Sequence, residues 1–430
     1  MLSIQDNEKL TRVSAGTPMG DIMRRYWMPF LNVEDLGGPD GVPVRVRLLG
    51  EDLVAFCDTS GRVGLVSKEC PHRLADLWYG RNEEDGLRCT YHGWKYDTTG
   101  ACIDMPSEHK ASNFKEKVHL TSYPVEEHGG ILFTYMGPKE LTPEIPQFEW
   151  MNVPARHRFS SWNVEECNFA QAIEGGIDTV HSVYLHSSMD SHRNREEWQD
   201  AGKKAGDPRL RFRTDDNPPQ LQTHDTDYGV VVGAKYDGDE GLDYWRFNLF
   251  WMPFWTAPPG STGHKSIHAF VPIDDVTTMR WSFTLSDTPI PARDLAAMRK
   301  GSGLHSEVYP GTHNPTHHKR NNYQIDREMQ RLETYTGIKD FGAQDYSVQE
   351  GMGLISNRNH EHLATTDIGI IAMRRRLLRA ANDLAEGIQP ASAHDGAAYL
   401  VRPGDTQLPS DVDRWPEHEN TVTALTANWK

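Results

Sequence analysis

The chain has 430 residues, 37% hydrophobic and 25% charged, which suits two or three domains of a globular protein rather than one small core. Acidic residues outnumber basic ones 61 to 45, for a formal net charge of -16, a balance that repels phosphate backbones and argues against a nucleic-acid partner. No run approaches the roughly 20 apolar residues of a membrane-spanning helix, and the opening MLSIQDNEKLTRV has no apolar core of a signal peptide, so no membrane association and a cytoplasmic location are expected.

In chain order, residues 1–26 read as a helical lead-in that ends near Arg24-Arg25-Tyr26 and packs on the second domain. Residues 27–138 read as an all-β domain: VPVRVRLLG and LVAFCD are strands, Asp58-Thr59-Ser60-Gly61 and Thr98-Thr99-Gly100 are turns, and GGILFTYMGP closes the block. Residues 139–146 form a linker. From residue 150 to 430 the pattern is α+β. Residues 165–188 look helical, and the charged stretch 190–227 looks like a surface loop or lid. Strands return at YGVVVGAKY, YWRFNLFWM, KSIHAFVPI and TMRWSFTLS, and helices at 320–335 and 366–388. An antiparallel sheet flanked by helices, in a helix-grip-like arrangement, is the expected second domain.

Five cysteines do not make a disulfide framework, and cysteines at fixed spacing from histidines are better read as metal ligands. Cys70-x-His72 and Cys89-x-x-His92 supply one thiolate and one imidazole from each of two loops. That mixed pairing lets one iron of a [2Fe–2S] cluster take both thiolates and the other both imidazoles. Zinc, which also accepts two Cys and two His, is the competing reading. Cys57, Cys102 and Cys167 lie outside the pattern and read as buried thiols.

Further on, NFAQAIEGGIDTVHSVYLH places Asn168, Gln171, Glu174, Asp178 and His181 within an arc of about 140° on one helix face. So polar a stripe points to a buried site rather than to a core. His181 and His186 stand five residues apart, about 140° around a regular helix. Both can reach one metal only where the helix breaks or tightens between them.

C-P-H-R…C-x-Y-H-G-W resembles the Rieske motif of aromatic ring-hydroxylating oxygenases, with Pro71, Gly93 and Trp94 in matching places. N-x-x-Q-x-x-E-G-x-x-D-x-x-H-x4-H resembles the mononuclear-iron signature of the same family, and nearly the whole chain resembles its phthalate dioxygenase group. The resemblance implies a Rieske [2Fe–2S] cluster at Cys70, His72, Cys89 and His92. It implies a non-haem Fe(II) at His181, His186 and Asp345, the last identified by the resemblance of AQDYSVQEGMG alone. Two histidines and one carboxylate leave iron positions open for dioxygen. Asp178, with Asn168, is implied as catalytic: in the family the equivalent Asp links an iron-ligating His to a Rieske His of the neighbouring subunit, here His72 or His92. Such a contact closes into a homotrimer, or two stacked trimers.

The strand YWRFNLFWM sets Arg246, Asn248 and Phe250 on one face and Trp245, Phe247, Leu249 and Trp251 on the other. A buried Arg needs an anion, which a substrate carboxylate supplies through a bidentate contact; a protein acid would serve equally. The resemblance implies the substrate role for Arg246. Gln220 stands near where phthalate enzymes carry a second Arg, although Arg209, Arg211 or Arg213 could supply that charge, and Thr179 is expected beside the substrate. The expected activity is dioxygen-dependent cis-dihydroxylation of an aromatic carboxylate, such as 3-chlorobenzoate, isophthalate or phthalate. Electrons would come from NAD(P)H through a separate flavin/iron–sulfur reductase. Monooxygenation or O-demethylation of an aromatic carboxylate is the first alternative, and electron transfer without oxygenation the second.

Overall fold

In the computed structural model, which describes residues 2–260, 264–412 and 414–427, the chain divides into two units. Val13–Ile145 is one, and Met1–Arg12 with Pro146–Lys430 is the other. The helical lead-in expected over residues 1–26 is split between them. Ile4–Thr11 is a helix capped by the Ser3 hydroxyl; it packs on the Ile368–Ala385 helix. Pro18–Met23 is a second helix, capped by Thr17 with Pro18 in its first turn, a combination that starts helices. Between them Gly16 takes φ +79°, which glycine tolerates and a helix does not. Residues 13–26 therefore pack within the Val13–Ile145 unit, where Arg24 reaches Glu51 at 2.6 Å.

Apart from Pro18–Met23 and the one-turn Val33–Leu36 helix, the regular structure of Val13–Ile145 is mainly β-strand, as its short strands and turns predict. Val44–Leu48, Glu51–Cys57, Val63–Ser67 and Ser122–Tyr123 form one antiparallel sheet. Arg81–Glu83, Gly86–Arg88, Lys95–Tyr96 and Cys102–Asp104 form a second. Ile131–Tyr135 pairs with both Trp27–Asn32 and Val125–His128 in a third. The Asp58 turn is closed by its own side chain, whose Oδ1 accepts from the Arg62 N–H at 2.8 Å. Val54, Phe56, Leu77, Leu87, Trp94 and Tyr96 share one core.

The second unit is α+β. Its antiparallel sheet runs in the order Arg158–Glu165, Thr278–Ser286, His264–Pro272, Trp255–Ala257, Leu242–Trp251, Gly229–Asp239, Gln220–Asp225, with Gly404–Pro409 also paired to Leu242–Trp251. Alternation works as the sequence predicts. Trp245 and Phe247 stack on Trp415 on one face, and Arg246 and Asn248 line a cavity on the other. Both faces are covered, so Thr278–Ser286 is buried at every position. The Phe169–Ile177 helix lies on the Trp255–Ala257 and His264–Pro272 strands. Gly176 permits the close approach: a Cβ there would stand 2.5 Å from Thr256 Oγ1.

Three elements depart from the expectations. The segment 190–227 is not a loop: it forms the helices Met189–Arg193, Arg195–Ala205 and Pro208–Phe212 and then the Gln220–Asp225 strand. The helix expected over 320–335 shrinks to Arg327–Leu332, after a 3₁₀ stretch in which Asn322 and Tyr323 take positive φ. The Phe341–Gly351 helix, which carries Asp345, has no counterpart among the expected elements.

The polar face of the Phe169–Ile177 helix faces the interior, but its partners are protein. Asn168 caps the helix and donates to the Thr11 and Asp275 carbonyls, both at 2.8 Å. Gln171 donates to the carbonyls of Gln349 and Gly353 and accepts from the Ser356 N–H. Glu174 takes Arg358 on both oxygens, at 2.8 and 3.1 Å, and Arg374 at 2.7 Å; Arg374 also holds Glu361. Asn168, expected at the catalytic site, is thus a structural cap. Burial alone would raise the Glu174 carboxyl, but the two guanidinium charges hold it below its ordinary value of 4.5. Replacing Glu174 by Gln leaves two buried cations short of an anion, and should lower unfolding free energy by about 3–5 kcal/mol. The carboxylate contributes fully above pH 4.5 and loses its effect as pH falls through the lowered folded value. Denaturant titrations of the two proteins should therefore differ at neutral pH and converge in acid; a constant gap would contradict the ion-pair account.

Candidate metal centres and substrate cavity

The two Cys/His loops of the Val13–Ile145 unit are built alike. In one, the Cys70 N–H donates to the Ala75 carbonyl and the Leu74 N–H to the Cys70 carbonyl, at 2.9 and 2.8 Å. In the other, the Cys89 N–H donates to Trp94 and the Gly93 N–H to Cys89, at 2.8 and 3.0 Å. The residue four after each cysteine, Leu74 or Gly93, has positive φ. The repeated turn brings the His72 and His92 rings to 4.3 Å between centroids, with His72 stacked on Trp94 at 4.4 Å. Cys70 and Cys89 are buried, and Tyr96 Oη lies 3.2 Å from Cys70 Sγ. Both imidazole Nδ1 atoms are buried without a hydrogen-bond partner. Such groups are costly unless something else accepts their lone pairs. Two thiols and two orphaned nitrogens fit the ligand set of a [2Fe–2S] cluster.

In the other unit the Phe169–Ile177 helix ends before His181, not between the two histidines. The Asp178 side chain accepts from the Val180 N–H at 2.8 Å, an Asx turn that competes with helix continuation. His181–Val183 is then a 3₁₀ turn, and His186 lies in the turn that follows it. Asp345 meets both histidines: its Oδ1 is 3.0 Å from His186 Nε2 and 3.6 Å from His181 Nε2. Possible ligand atoms of these three residues lie within 4.8 Å of one another, so one ion could be held by all three. Each ring has a second neighbour on Nδ1: Gln344 Oε1 at 2.7 Å for His186, and Asp178 Oδ2 at 3.5 Å for His181. Groups so placed fix ring orientation in metal sites. Burial works to raise the Asp345 carboxyl; the His186 hydrogen bond and the charges of His186, His181 and Arg280 overcome it and hold the pKa at about 2. Sequence reasoning misses Gln344. Its place directly before Asp345 is the signal that could have found it.

These residues line a cavity of about 730 Å³, a size that suits a small organic ligand. Asp178, Thr179, His181, His186 and Asp345 all border it, as do Arg246, Asn248 and His268 from the sheet and His192, Arg209 and Arg213 from the 189–217 helices. Gln220 does not: it begins an outer strand and is exposed, so it cannot stand in for a second substrate Arg. Arg209 is engaged by Asp207 at 2.7 Å and Arg211 by Asp239. Arg246 and Arg213 differ. Arg246 is 7% exposed and donates to the Pro259 carbonyl at 2.9 Å, with Tyr244 Oη at 3.4 Å. Arg213 donates to Ser182 Oγ at 2.5 Å. The Nε of each is buried and unpartnered, and among the described residues neither has a carboxylate partner. Burial, and then the charge of Arg246, lower the Arg213 guanidinium to about 10.

Residues 26–124 match the Rieske [2Fe-2S] domain family, and residues 134–401 match the family described as LigXa C-terminal domain like. The 3-chlorobenzoate-3,4-dioxygenase oxygenase subunit of Comamonas testosteroni is 35% identical, over 99% of this chain and 100% of that protein. The phthalate 4,5-dioxygenase oxygenase subunit of Pseudomonas putida is 37% identical, over 96% and 91%. The 5,5'-dehydrodivanillate O-demethylase oxygenase subunit of Sphingobium sp. is 33% identical, over 91% and 83%. Among solved structures, the QL mutant of NdmA from Pseudomonas putida CBB5 with theobromine shares the fold, at a TM-score of 0.59 and 19% identity, over 92% of this chain and 99% of that one. Among the described residues no helix is long and apolar enough to cross a membrane. With both domains matched and relatives aligned along nearly its full length, the chain belongs to the Rieske non-haem iron oxygenases, enzymes that carry a [2Fe–2S] cluster and a mononuclear iron.

Proposed function

We propose that the chain is the oxygenase subunit of a multicomponent system that hydroxylates an aromatic carboxylate in the 730 Å³ cavity, with cis-dihydroxylation as the reaction. The observation that carries this reading is the pair of cavity arginines without an acidic partner. A buried and a partly buried guanidinium are costly unless an anion joins them, and burial together with the charge of Arg246 already depresses Arg213. A carboxylate bound there relieves both. Because Arg213 supplies the second positive charge that Gln220 does not, dicarboxylates such as phthalate and isophthalate stand beside 3-chlorobenzoate as candidate substrates. The chlorobenzoate and phthalate relatives support the same class.

In this reading Cys70, His72, Cys89 and His92 hold the cluster, and His181, His186 and Asp345 hold the iron. Together these groups supply stepwise electrons and dioxygen activation, the electrons coming from NAD(P)H through a separate flavin/iron–sulfur reductase. The chain's own residues position and enclose. Arg246 and Arg213 fix the carboxylate end of the ring, and Thr179 and Phe270 bound the ring itself. Gln344 and Asp178 hold the two imidazoles in orientation. Asp178, its side chain 24% exposed beside His181, would meet an imidazole of a neighbouring subunit in a homotrimer. O-demethylation or monooxygenation of a similar acid is the second reading, favoured by the dehydrodivanillate relative. It leaves the role of every one of these residues unchanged, and labelled dioxygen separates the two, since dihydroxylation puts both atoms into one product. Electron transfer without oxygenation leaves the arginines and the cavity without a purpose.

Arg246→Leu should weaken binding of an aromatic acid about 10- to 100-fold by calorimetry, the worth of a charged hydrogen bond, while iron content stays unchanged; equal affinity would remove the carboxylate reading. Asp178→Asn should keep both metal centres, by iron count and visible spectrum, yet lose turnover. Wild-type turnover in that variant would rule out its linking role.

A further inference from the structure

We propose that the cavity takes an aromatic acid of two rings, and that Trp198 and Leu210 form the subsite for the second ring. This rests on the reading in which Arg246 and Arg213 receive the carboxylate. The first support is volume. A benzoate packed as loosely as liquid water, at roughly 30 Å³ for each non-hydrogen atom, fills less than half of the 730 Å³. Dioxygen beside it takes up little of the remainder. Ligand sites bury most of their ligand's surface, and apolar walls stabilise a ligand only where apolar atoms meet them.

The second support is where the open apolar side chains stand. Phe270 and His268 are buried members of the lining and mark its closed end. Trp198 and Leu210 border the same cavity yet are 37% and 38% exposed, which puts them at its mouth. The sequence sets the two side by side. Trp198 and Gly202 are four residues apart on the Arg195–Ala205 helix, and so share a face. At Gly202 the Pro208–Phe212 helix comes so close that a Cβ would stand 2.8 Å from Leu210 Cβ. Trp198 therefore lies one turn along from that contact, on the side where Leu210 emerges. Leu210 and Arg213 are in turn three residues apart, and both border the cavity. The apolar wall thus begins beside one of the two guanidinium groups.

The indole is also held in place ahead of any ligand. Its Nε1 donates to Asp190 Oδ2 at 2.8 Å, and Asp190 Oδ1 accepts from Asn194 Nδ2 at 2.6 Å. The polar edge of the ring is tied down while more than a third of the side chain stays uncovered. A ring stacking on it then loses little affinity to ordering of the wall. A single exposed apolar side chain is ordinary. An adjoining pair that borders a cavity beside Arg213 and Arg246 matches a ligand with an anionic end and an apolar end. A second ring joined at the meta or para position keeps clear of the carboxylate, which leaves both arginines free to bind it.

The test uses the holoenzyme, with calorimetry for binding and its reductase for turnover. The ligands are benzoate, 3-phenylbenzoate, 4-phenylbenzoate and 3-phenoxybenzoate, and the proteins wild type, Trp198→Ala, Leu210→Ser and Arg246→Leu. In wild type, at least one two-ring acid should bind about 10- to 100-fold tighter than benzoate, the worth of burying a second ring, and give an oxygenated product. Trp198→Ala should remove about tenfold of that advantage and Leu210→Ser about threefold or more, with benzoate affinity shifted by less than about twofold. Equal affinity for one- and two-ring acids would overturn the subsite. So would an advantage that survives both substitutions, since the ligand's own hydrophobicity then accounts for it, or tight binding of two-ring acids without product. Arg246→Leu keeps the two readings apart: it should weaken both classes of acid alike and preserve their ratio. Unchanged affinity in that variant removes the carboxylate reading, whereas a lost ratio in Trp198→Ala speaks only to the second ring.

Discussion

The candidate iron site turns on one partly buried carboxylate set between two imidazoles. Asp345 comes from a helix far along the chain, and its Oδ1 sits 3.0 and 3.6 Å from the Nε2 atoms of His186 and His181. A carboxylate in that environment stays charged only because its partners repay the lost hydration, and the surrounding structure keeps those partners in place. Asp340 caps the helix that carries it. Gln344, one residue earlier, grips His186 from behind while its own amide is held by the Ile338 carbonyl. Arg280 stands 3.7 Å from the outer oxygen. Two of the three groups that converge here, His186 and Asp345, are held by further partners, and the third, His181, has Asp178 3.5 Å from its far nitrogen.

Much of this is legible in the sequence, and the limits are physical. The Cys/His loops can be read from spacing because their geometry is local: each turn is closed by hydrogen bonds within five residues of its cysteine. His181 and His186 can be found for the same reason. Asp345 is 159 residues from His186, a separation no spacing rule spans, and only resemblance points to it. The polar stripe on the Phe169–Ile177 helix is buried, as its periodicity implies, but it is not the edge of the metal site. Periodicity shows which way side chains point, not what meets them. Asn168, Gln171 and Glu174 meet backbone and arginines from distant segments. The helix is also shorter than its pattern suggests, since the Asp178 side chain offers its own backbone an alternative to the next turn.

Two kinds of buried charge set structure apart from function in this chain. Glu174 faces Arg358 and Arg374, and Glu149 faces Arg402; these charges are matched inside the protein and hold distant segments together. Arg246 is buried to a comparable degree, and Arg213 partly buried, without such an acid. Composition cannot distinguish the two kinds, because an arginine reads the same in either. The cavity and the neighbours of each guanidinium can. The placement of Gln220 illustrates the same limit. By its position in the sequence it stands where a substrate arginine is expected, yet the fold carries it to an outer strand and brings Arg213 inward.

The central strands carry two jobs on alternate residues. At positions 245 and 247 the side chains belong to an aromatic stack with Trp415, and at 246 and 248 they border the cavity. A change at an even position of that strand can recast which molecule is accepted without disturbing the packing that keeps the sheet whole. One scaffold can in this way drift among many acids while its framework stays as it is.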